Sequence, residues 1–376
     1  MQSRHPAPVL HLRGPVLARL DASGEVDVRD EAWVLEGRIT FDRPRSAGSA
    51  TEGVQELEGW VLPGLVDAHC HVGLGPAGPV DRATARAQAE VDRDSGVLLI
   101  RDAGSPADTR WVDDEPDLPR LLRAGRHVAR SRRYLRGVGD EVEPEDLVAT
   151  VTAQARAGDG WVKLVGDWID RDRGDLAPCW PVEELTRAVA AAHAEGARVT
   201  VHTFSEETLP DLLAAGVDCW EHATGLDGET AARAAAAGVV ITPTLVQTAR
   251  FGEFAAAGEG KFPVYAAHMR ALHERRHAAV RDAVDAGVRL LVGTDAGTEL
   301  PHGKVVDEVA ALVEAGLTPL QALGAASWGA RDYLGAQALD EGAPADLLVL
   351  PADPRDDVEV LRAPTAVVLR GRVVRG

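Results

Sequence analysis

Lysine is scarce in this chain. Of 40 basic residues only three are lysines, Lys163, Lys261 and Lys304. Arginine therefore stands almost wherever a positive charge suffices, and a lysine inside an apolar strand calls for its own reason. Cysteine is scarce too: Cys70, Cys179 and Cys219 are odd in number, far apart and in no Cys-x-x-Cys spacing. That argues against a disulfide framework and fits a reduced compartment. No apolar run reaches about 18 residues, which argues against a membrane-spanning helix. Residues 1–14 lack the apolar core of about 7 to 15 residues that a secretory signal carries, so a cytoplasmic address is expected. Positive charge as a whole is in deficit. A formal net charge of −19 repels nucleic acid and anionic membrane over most of the surface, leaving a small-molecule substrate as the expected partner. A homo-oligomer stays open.

The rest of the composition is that of an ordinary soluble globular protein, with 45% hydrophobic and 26% charged residues in 376. Such a length fits two medium domains, or one barrel with an appended piece. Residues 9–58 show short strand-like runs broken by Gly and Asp, with a loop expected at 43–53. After residue 59 a Val/Leu/Ile-rich run is repeatedly followed by an Ala/Arg/Glu-rich amphipathic segment, the pattern of βα units. Eight strands are expected at 61–69, 96–102, 127–135, 161–165, 198–203, 217–222, 239–245 and 289–294. Helices are expected at 84–94, 144–157, 182–195, 206–215, 228–237 and 264–286, with a shorter one at 118–124 and two more at 304–315 and 318–334. Eight units close naturally into a (β/α)8 TIM barrel. The tail returns to strands at 345–350 and 366–374. The expected organisation is a small β domain built from residues 1–58 and 340–376 around a barrel at 59–339.

Gly-Trp-Val-Leu-Pro-Gly-Leu-Val-Asp-Ala-His-Cys-His, residues 59–71, reads as a buried strand ending in two histidines. Alternate side chains share a face, so His69 and His71 point one way and Cys70 the other. The pair fits one metal ion, and equally two ordinary histidines at a strand end, until distant partners are found. In a barrel such partners sit at the C-terminal ends of strands. Those ends offer Lys163, His202, His222 and Asp295, each embedded in apolar sequence where a charged group is rarely buried alone.

These segments resemble the amidohydrolase superfamily, in particular its imidazolonepropionase and prolidase-like branch. The resemblance is carried by Leu-Pro-Gly-Leu-Val-Asp-Ala-His-Cys-His (62–71), Gly-Thr-Asp-Ala-Gly (293–297) and Gly-Ala-Pro-Ala-Asp-Leu-Leu-Val-Leu (342–350). It implies a (β/α)8 barrel beside a small β-sandwich and a divalent metal centre. It assigns His69, His71 and Asp295 to one metal, His202 and His222 to a second, and Lys163 to a bridge between them. An ammonium cannot ligate a cation, but a desolvated neutral amine can add carbon dioxide and become an anionic carbamate, which arginine cannot do. A snorkelling or salt-bridged lysine, leaving one metal, is the plainer alternative. Zinc is the expected ion, one or two per chain, although imidazole and carboxylate donors also accept manganese, iron or nickel.

The implied chemistry is metal-dependent hydrolysis of C–N bonds in small amides, dipeptides or cyclic amides. Metals would acidify a bound water and polarise the carbonyl. Asp295 is the expected general base, and His222 the carbonyl-polarising group if a single metal binds. A lactonase, phosphoesterase or deaminase could use the same centre, and a non-catalytic barrel scaffold is the second class of reading. Prolidase-like members carry a Gly-Gly-His-Gly loop after strand three that binds a carboxylate. This chain reads Leu135-Arg136-Gly137-Val138-Gly139-Asp140 there, so prolidase specificity does not follow.

Other signals are weaker. His273-Glu274-Arg275-Arg276-His277 matches the H-E-x-x-H pattern but reads as a solvated helix face. Gly73-Leu74-Gly75-Pro76-Ala77-Gly78 matches G-x-G-x-x-G, yet prolines interrupt the passage into a helix, so it reads as a βα loop. Cys70 is expected to be buried and inert. His302 either contacts substrate or orders its loop. Trp168 and Arg136, with Trp180, Arg132, Arg133 and Tyr134, either line the pocket or pack on the surface.

Overall fold

The computed structural model describes residues 9–21, 24–44 and 53–376. Residues 1–8, which fall in the segment read for a leader, and 45–52 of the expected 43–53 loop lie outside the described residues. The fold is a (β/α)8 barrel with a small β domain that both ends of the chain build. The β domain is one hydrogen-bonded path in the order Arg372–Arg375, Ala366–Leu369, Leu347–Leu350, Trp60–Pro63, Val9–Leu20, Val26–Leu35 and Arg38–Thr40, with Val54–Glu58 beside Val9–Leu20. Its core is Leu10, Leu12, Val16, Val34, Ile39, Val61, Leu347 and Val349. Gly14, at φ +130°, lets the long first strand bend. A Cβ there would lie 2.3 Å from the Gly59 carbonyl oxygen, so only glycine permits this crossing.

The segment 61–69, expected as one strand, is two. Trp60–Pro63 pairs with Leu347–Leu350 in the terminal sheet, and Leu65–Cys70 opens the barrel beside Val97–Asp102. The change of sheet falls at Gly64, where a Cβ would meet Leu98 Cδ1 at 2.4 Å. A second difference concerns 118–124. Instead of a helix it forms the strand Arg120–Arg123, parallel to Val97–Asp102. A seven-residue helical tendency is weak on its own, and pairing with an exposed strand edge overrides it. The strand expected at 127–135 shrinks to Val128–Arg130, because Arg132 turns the chain at φ +60°. The third stave is therefore broken: Arg120–Arg123 continues the first sheet, while Val128–Arg130 joins Trp161–Val165.

Trp161–Val165, Arg198–Thr203, Cys219–His222, Val240–Thr242 and Arg289–Leu290 follow in parallel order. The barrel closes where Ala68 N donates to Val292 O at 2.9 Å and His71 N to Ala296 O at 2.8 Å. Helices pack outside, several entered by side-chain caps: Asp81 accepts from Thr84 N, Asp227 from Thr230 N, and Thr318 with Gln321 forms a capping box. The expected helix 318–334 is two, Pro319–Ala326 and Trp328–Tyr333, divided at Ser327. No helix of the described residues is long and apolar enough to cross a membrane.

Candidate metal centre

His69 and His71 leave the end of Leu65–Cys70 on the same side. Nε2 of His69 lies 3.2 Å and Nε2 of His71 3.0 Å from Oδ1 of Asp295. The donor atoms of these three residues all fall within 4.8 Å of one another, close enough to share an ion. Asp295 is presented from a left-handed conformation, φ +60°, on the segment that follows the eighth stave, and its backbone N–H donates to His69 O at 2.6 Å. Such backbone strain persists only where surrounding structure holds it. Asp67 supplies that hold. Its carboxylate accepts from Thr294 Oγ1 at 2.6 Å and from the backbone N–H groups of His69 and Thr294 at 3.1 Å.

The opposite ring nitrogens are committed elsewhere. His69 Nδ1 lies 2.7 Å from Glu221 Oε2, and His71 Nδ1 lies 2.7 Å from the Gly104 carbonyl oxygen. An Nδ1–H that donates to an oxygen leaves the Nε2 lone pair facing Asp295, the tautomer a metal ligand needs. Glu221 is itself held by Arg101 and Thr200 Oγ1. Burial opposes its ionisation, but the Arg101 guanidinium and His69 outweigh that and hold the carboxyl well below its usual range.

Across the mouth, His202 Nδ1 and His222 Nε2 are 3.0 Å apart, and His222 Nδ1 bonds Thr244 Oγ1 at 2.6 Å. In a regular strand Glu221 and His222 would face opposite sides. His222 instead takes φ +69°, so Glu221 serves His69 below while His222 turns into the mouth. Burial lowers His222 to about 3 and His202 well below the ordinary imidazole range, so both rings are neutral and able to donate a lone pair. Lys163 is 1% exposed, and neither its Nζ nor His202 Nε2 has a hydrogen-bond partner among the described residues. Burial brings the Lys163 amine down to about 8, against the pull of Glu221 and Asp295.

Of the other residues singled out in the sequence, Trp168 stands beside the centre, its ring 5.4 Å from that of His202. Arg136 is exposed on the turn after the broken stave. His302 Nδ1 lies 2.7 Å from Asp92 Oδ2, and Gly303 N donates to Asp92 Oδ1 at 2.9 Å, which ties the last loop to the helix Arg82–Asp94. Cys70 is fully buried near that clasp. His273 Nδ1 bonds the Thr248 carbonyl while Glu274 is exposed, a helix face and no ligand set. The 73–78 glycines form a tight hairpin, Leu74–Gly75 with Gly78–Pro79.

Sequence reasoning missed Asp67, Arg101, His127, Glu221 and Thr244. Arg101 and Glu221 were detectable as ionisable residues inside wholly apolar strand runs, Val-Leu-Leu-Ile-Arg and Cys-Trp-Glu. His127 is fully buried, 5.0 Å from the His71 ring and 5.2 Å from Tyr134, and among the described residues neither ring nitrogen has a hydrogen-bond partner. Only the broken third stave brings it there.

Fold and site together define a β/α-barrel protein with a buried cluster able to hold a metal at the C-terminal ends of its strands. The model of the amidohydrolase family matches residues 60–374, and the chain belongs to that family. An uncharacterized protein of Mycobacterium tuberculosis is 50% identical over 373 residues, 99% of this chain and 97% of its own length. The Aspergillus niger ochratoxinase is 29% identical over 231 residues, 59% of this chain and 47% of its own. Its crystal structure superposes with a TM-score of 0.79 over 99% of this chain and 96% of that one, at 21% identity. A Xaa-Pro dipeptidase with bound methionine superposes with a TM-score of 0.81 over 98% of this chain and all of that one, at 23% identity. These superpositions show that the fold is shared over nearly the whole chain.

Proposed function

We propose that the protein is a metal-dependent hydrolase of C–N bonds in small amides, dipeptide-like or cyclic, working through a binuclear zinc centre. The observation that carries this reading is Asp295 Oδ1 at 3.0 and 3.2 Å from two imidazole Nε2 atoms. The donor set fits a divalent ion: four buried neutral or hydrogen-bond-oriented imidazoles, a carboxylate, and a Lys163 amine without a hydrogen-bond partner among the described residues. His69, His71 and Asp295 would hold one ion, and His202 and His222 the other. Lys163 would bridge them once its amine has added carbon dioxide, forming the N–C bond and releasing a proton. When bound, the metal supplies an acidified water and a Lewis acid for the substrate carbonyl.

The chain's own groups do the rest. Burial opposes ionisation of Asp295, and a cation shared with the His69 and His71 Nε2 lone pairs would more than offset that. The carboxyl is therefore ionised at neutral pH and acts as the base that takes the proton from the attacking water and delivers it to the departing nitrogen. His222, kept neutral by burial and oriented by Thr244, contacts the carbonyl oxygen if one metal position is empty. Asp295→Asn tests the reading. Turnover of a cleavable amide should fall by about 10³-fold or more while a substantial metal content remains, and unchanged turnover would remove Asp295 from the chemistry.

A further inference from the structure

Aromatic residues make up only 4% of the chain, yet several crowd one wall of the centre. Tyr134 and Trp168 lie 4.9 Å apart at 68°, forming a corner. Their rings are 6.0 and 5.4 Å from that of His202. Phe204 stands 4.3 Å from His202 and 4.6 Å from Phe251 behind it. Tyr134 and Trp168 are only half-buried, whereas the rings behind them and the ligand histidines are buried, so this pair is the surface that an entering molecule meets. We propose that the substrate presents a flat, uncharged aromatic group to the corner formed by Tyr134 and Trp168, next to the bond that is cleaved. The proposal rests on the hydrolase reading above and names the substrate class that this site takes.

The corner suits a third ring, which can stack on one face and meet the other edge-on, the arrangements that aromatic quadrupoles favour. It is also rigid. Trp168 sits on the hairpin Asp167–Asp170 and Asp175–Pro178. Asp167 anchors that hairpin, accepting from Thr203 Oγ1 at 2.8 Å and the backbone N–H of Phe204 at 3.0 Å. Arg133 crosses beneath, donating to the carbonyls of Trp168, Ala177 and Pro178 at 2.9, 2.7 and 3.0 Å. Arg130 donates to Cys179 O at 3.1 Å. Arg133 thus commits both Nη groups, and Arg130 its Nη1, to backbone carbonyls. A substrate carboxylate placed here would have to compete with those carbonyls, and Asp295 would repel it. A pre-ordered wall loses little conformational freedom on binding, which favours affinity.

Hydroxamates separate this inference from the reading beneath it, because their head group chelates metal whatever the tail. Affinities of acetohydroxamate, benzohydroxamate and 4-carboxybenzohydroxamate for the zinc-loaded full chain would be measured by calorimetry. Benzohydroxamate should bind about tenfold more tightly than acetohydroxamate, and the carboxylated ring should lose that advantage. In Trp168→Ala the ratio of the first two constants should fall toward one, while Trp168→Phe retains most of it. Thermal unfolding of each variant, with acetohydroxamate binding, checks that the centre is intact. Equal affinities in the parent protein, a ratio unmoved in both Trp168→Ala and Tyr134→Ala, or tightest binding of the carboxylated ring would each overturn the aromatic wall alone. If even acetohydroxamate fails to bind, the metal-centre reading fails and the inference with it.

Discussion

Glu221 stands between His69 and Arg101, accepting from the first on Oε2 at 2.7 Å and from the second on Oε1. All three side chains are buried, and the carboxylate also takes the Thr200 hydroxyl. The bridge ties strand one of the barrel to strands two and six, and it fixes which nitrogen of His69 faces Asp295. Its removal separates stability from metal affinity. Glu221→Gln should lower metal affinity by about 10- to 100-fold, since an orienting carboxylate has been replaced by an amide. It should also cost about 3–5 kcal/mol, because Arg101 is left charged and unpaired in the interior. In the double variant Arg101→Met, Glu221→Gln the stability should recover in part while the metal affinity does not. Thermal unfolding of the apo-protein and metal content after dialysis give the two readouts. Parallel recovery of both would reduce Glu221 to a structural ion pair.

The second prediction concerns Lys163, the only one of three lysines placed in a buried strand. Among the described residues its Nζ has no hydrogen-bond partner, an arrangement that normally costs a few kcal/mol and calls for compensation. A bridging carbamate, as proposed above, would provide it. On that proposal the parent should hold two metals per chain and Lys163→Met, which keeps the volume, no more than one. Metal uptake by the parent should depend on bicarbonate. Two metals bound to Lys163→Met would show that the lysine is dispensable to nuclearity.

Much of this site is legible in the sequence because buried ionisable residues are costly. His69, His71, Lys163, His202, His222 and Asp295 each interrupt an apolar run, and a barrel brings run ends together. What alternation could not give is the behaviour of residues that leave the regular strand. His222 and Asp295 point into the mouth through positive φ values. The third stave was misread because its two short pieces, Arg120–Arg123 and Val128–Arg130, pair with different neighbours, a tertiary choice that no local pattern encodes. His127 is brought to the site by that break. Glu221 and Arg101 escaped for the reverse reason: each was visible as a buried charge, but their partnership spans 120 residues.

His268 gives a prediction in pH. On the helix Pro263–Asp285 it bonds Glu206 at 2.9 Å and Asp175 at 3.0 Å, joining that helix to the hairpin that carries Trp168. The Glu206 hydrogen bond chiefly, with Asp175, raises its pKa from 6.5 to about 9 against partial burial. A folded-state pKa above the unfolded one means that the native state binds the extra proton more tightly. The stabilisation is therefore complete below about pH 6.5 and is lost as pH rises through 9. His268→Gln should cost roughly 1–2 kcal/mol at pH 6, after allowing for the ring's partial exposure, and little above pH 9.5. Denaturant unfolding of both proteins across that range measures the difference. A gap that stays constant with pH would show that the ring acts by packing and not by charge.

The last prediction distinguishes the two roles open to His302. Its side chain is 4% exposed and that of Asp92 is 1% exposed, and the Asp92 oxygens are engaged by His302 and by the Gly303 N–H. Cys70, Asp92 and His302 could in principle gather an ion, but both carboxylate oxygens already accept within the clasp, and burial keeps the Cys70 thiol well above its usual pKa. The geometry makes His302 a fastener of the loop that follows Asp295. His302→Ala leaves Asp92 buried with one partner fewer, which should cost about 1–3 kcal/mol of stability. If the loop alone is loosened, kcat falls as Asp295 wanders, KM for an amide substrate changes by less than about twofold, and metal content stays at the parent value. His302→Gln, which can still donate to Asp92, should restore most of both stability and kcat. A rise in KM with stability intact, unrescued by glutamine, would instead place His302 against the substrate.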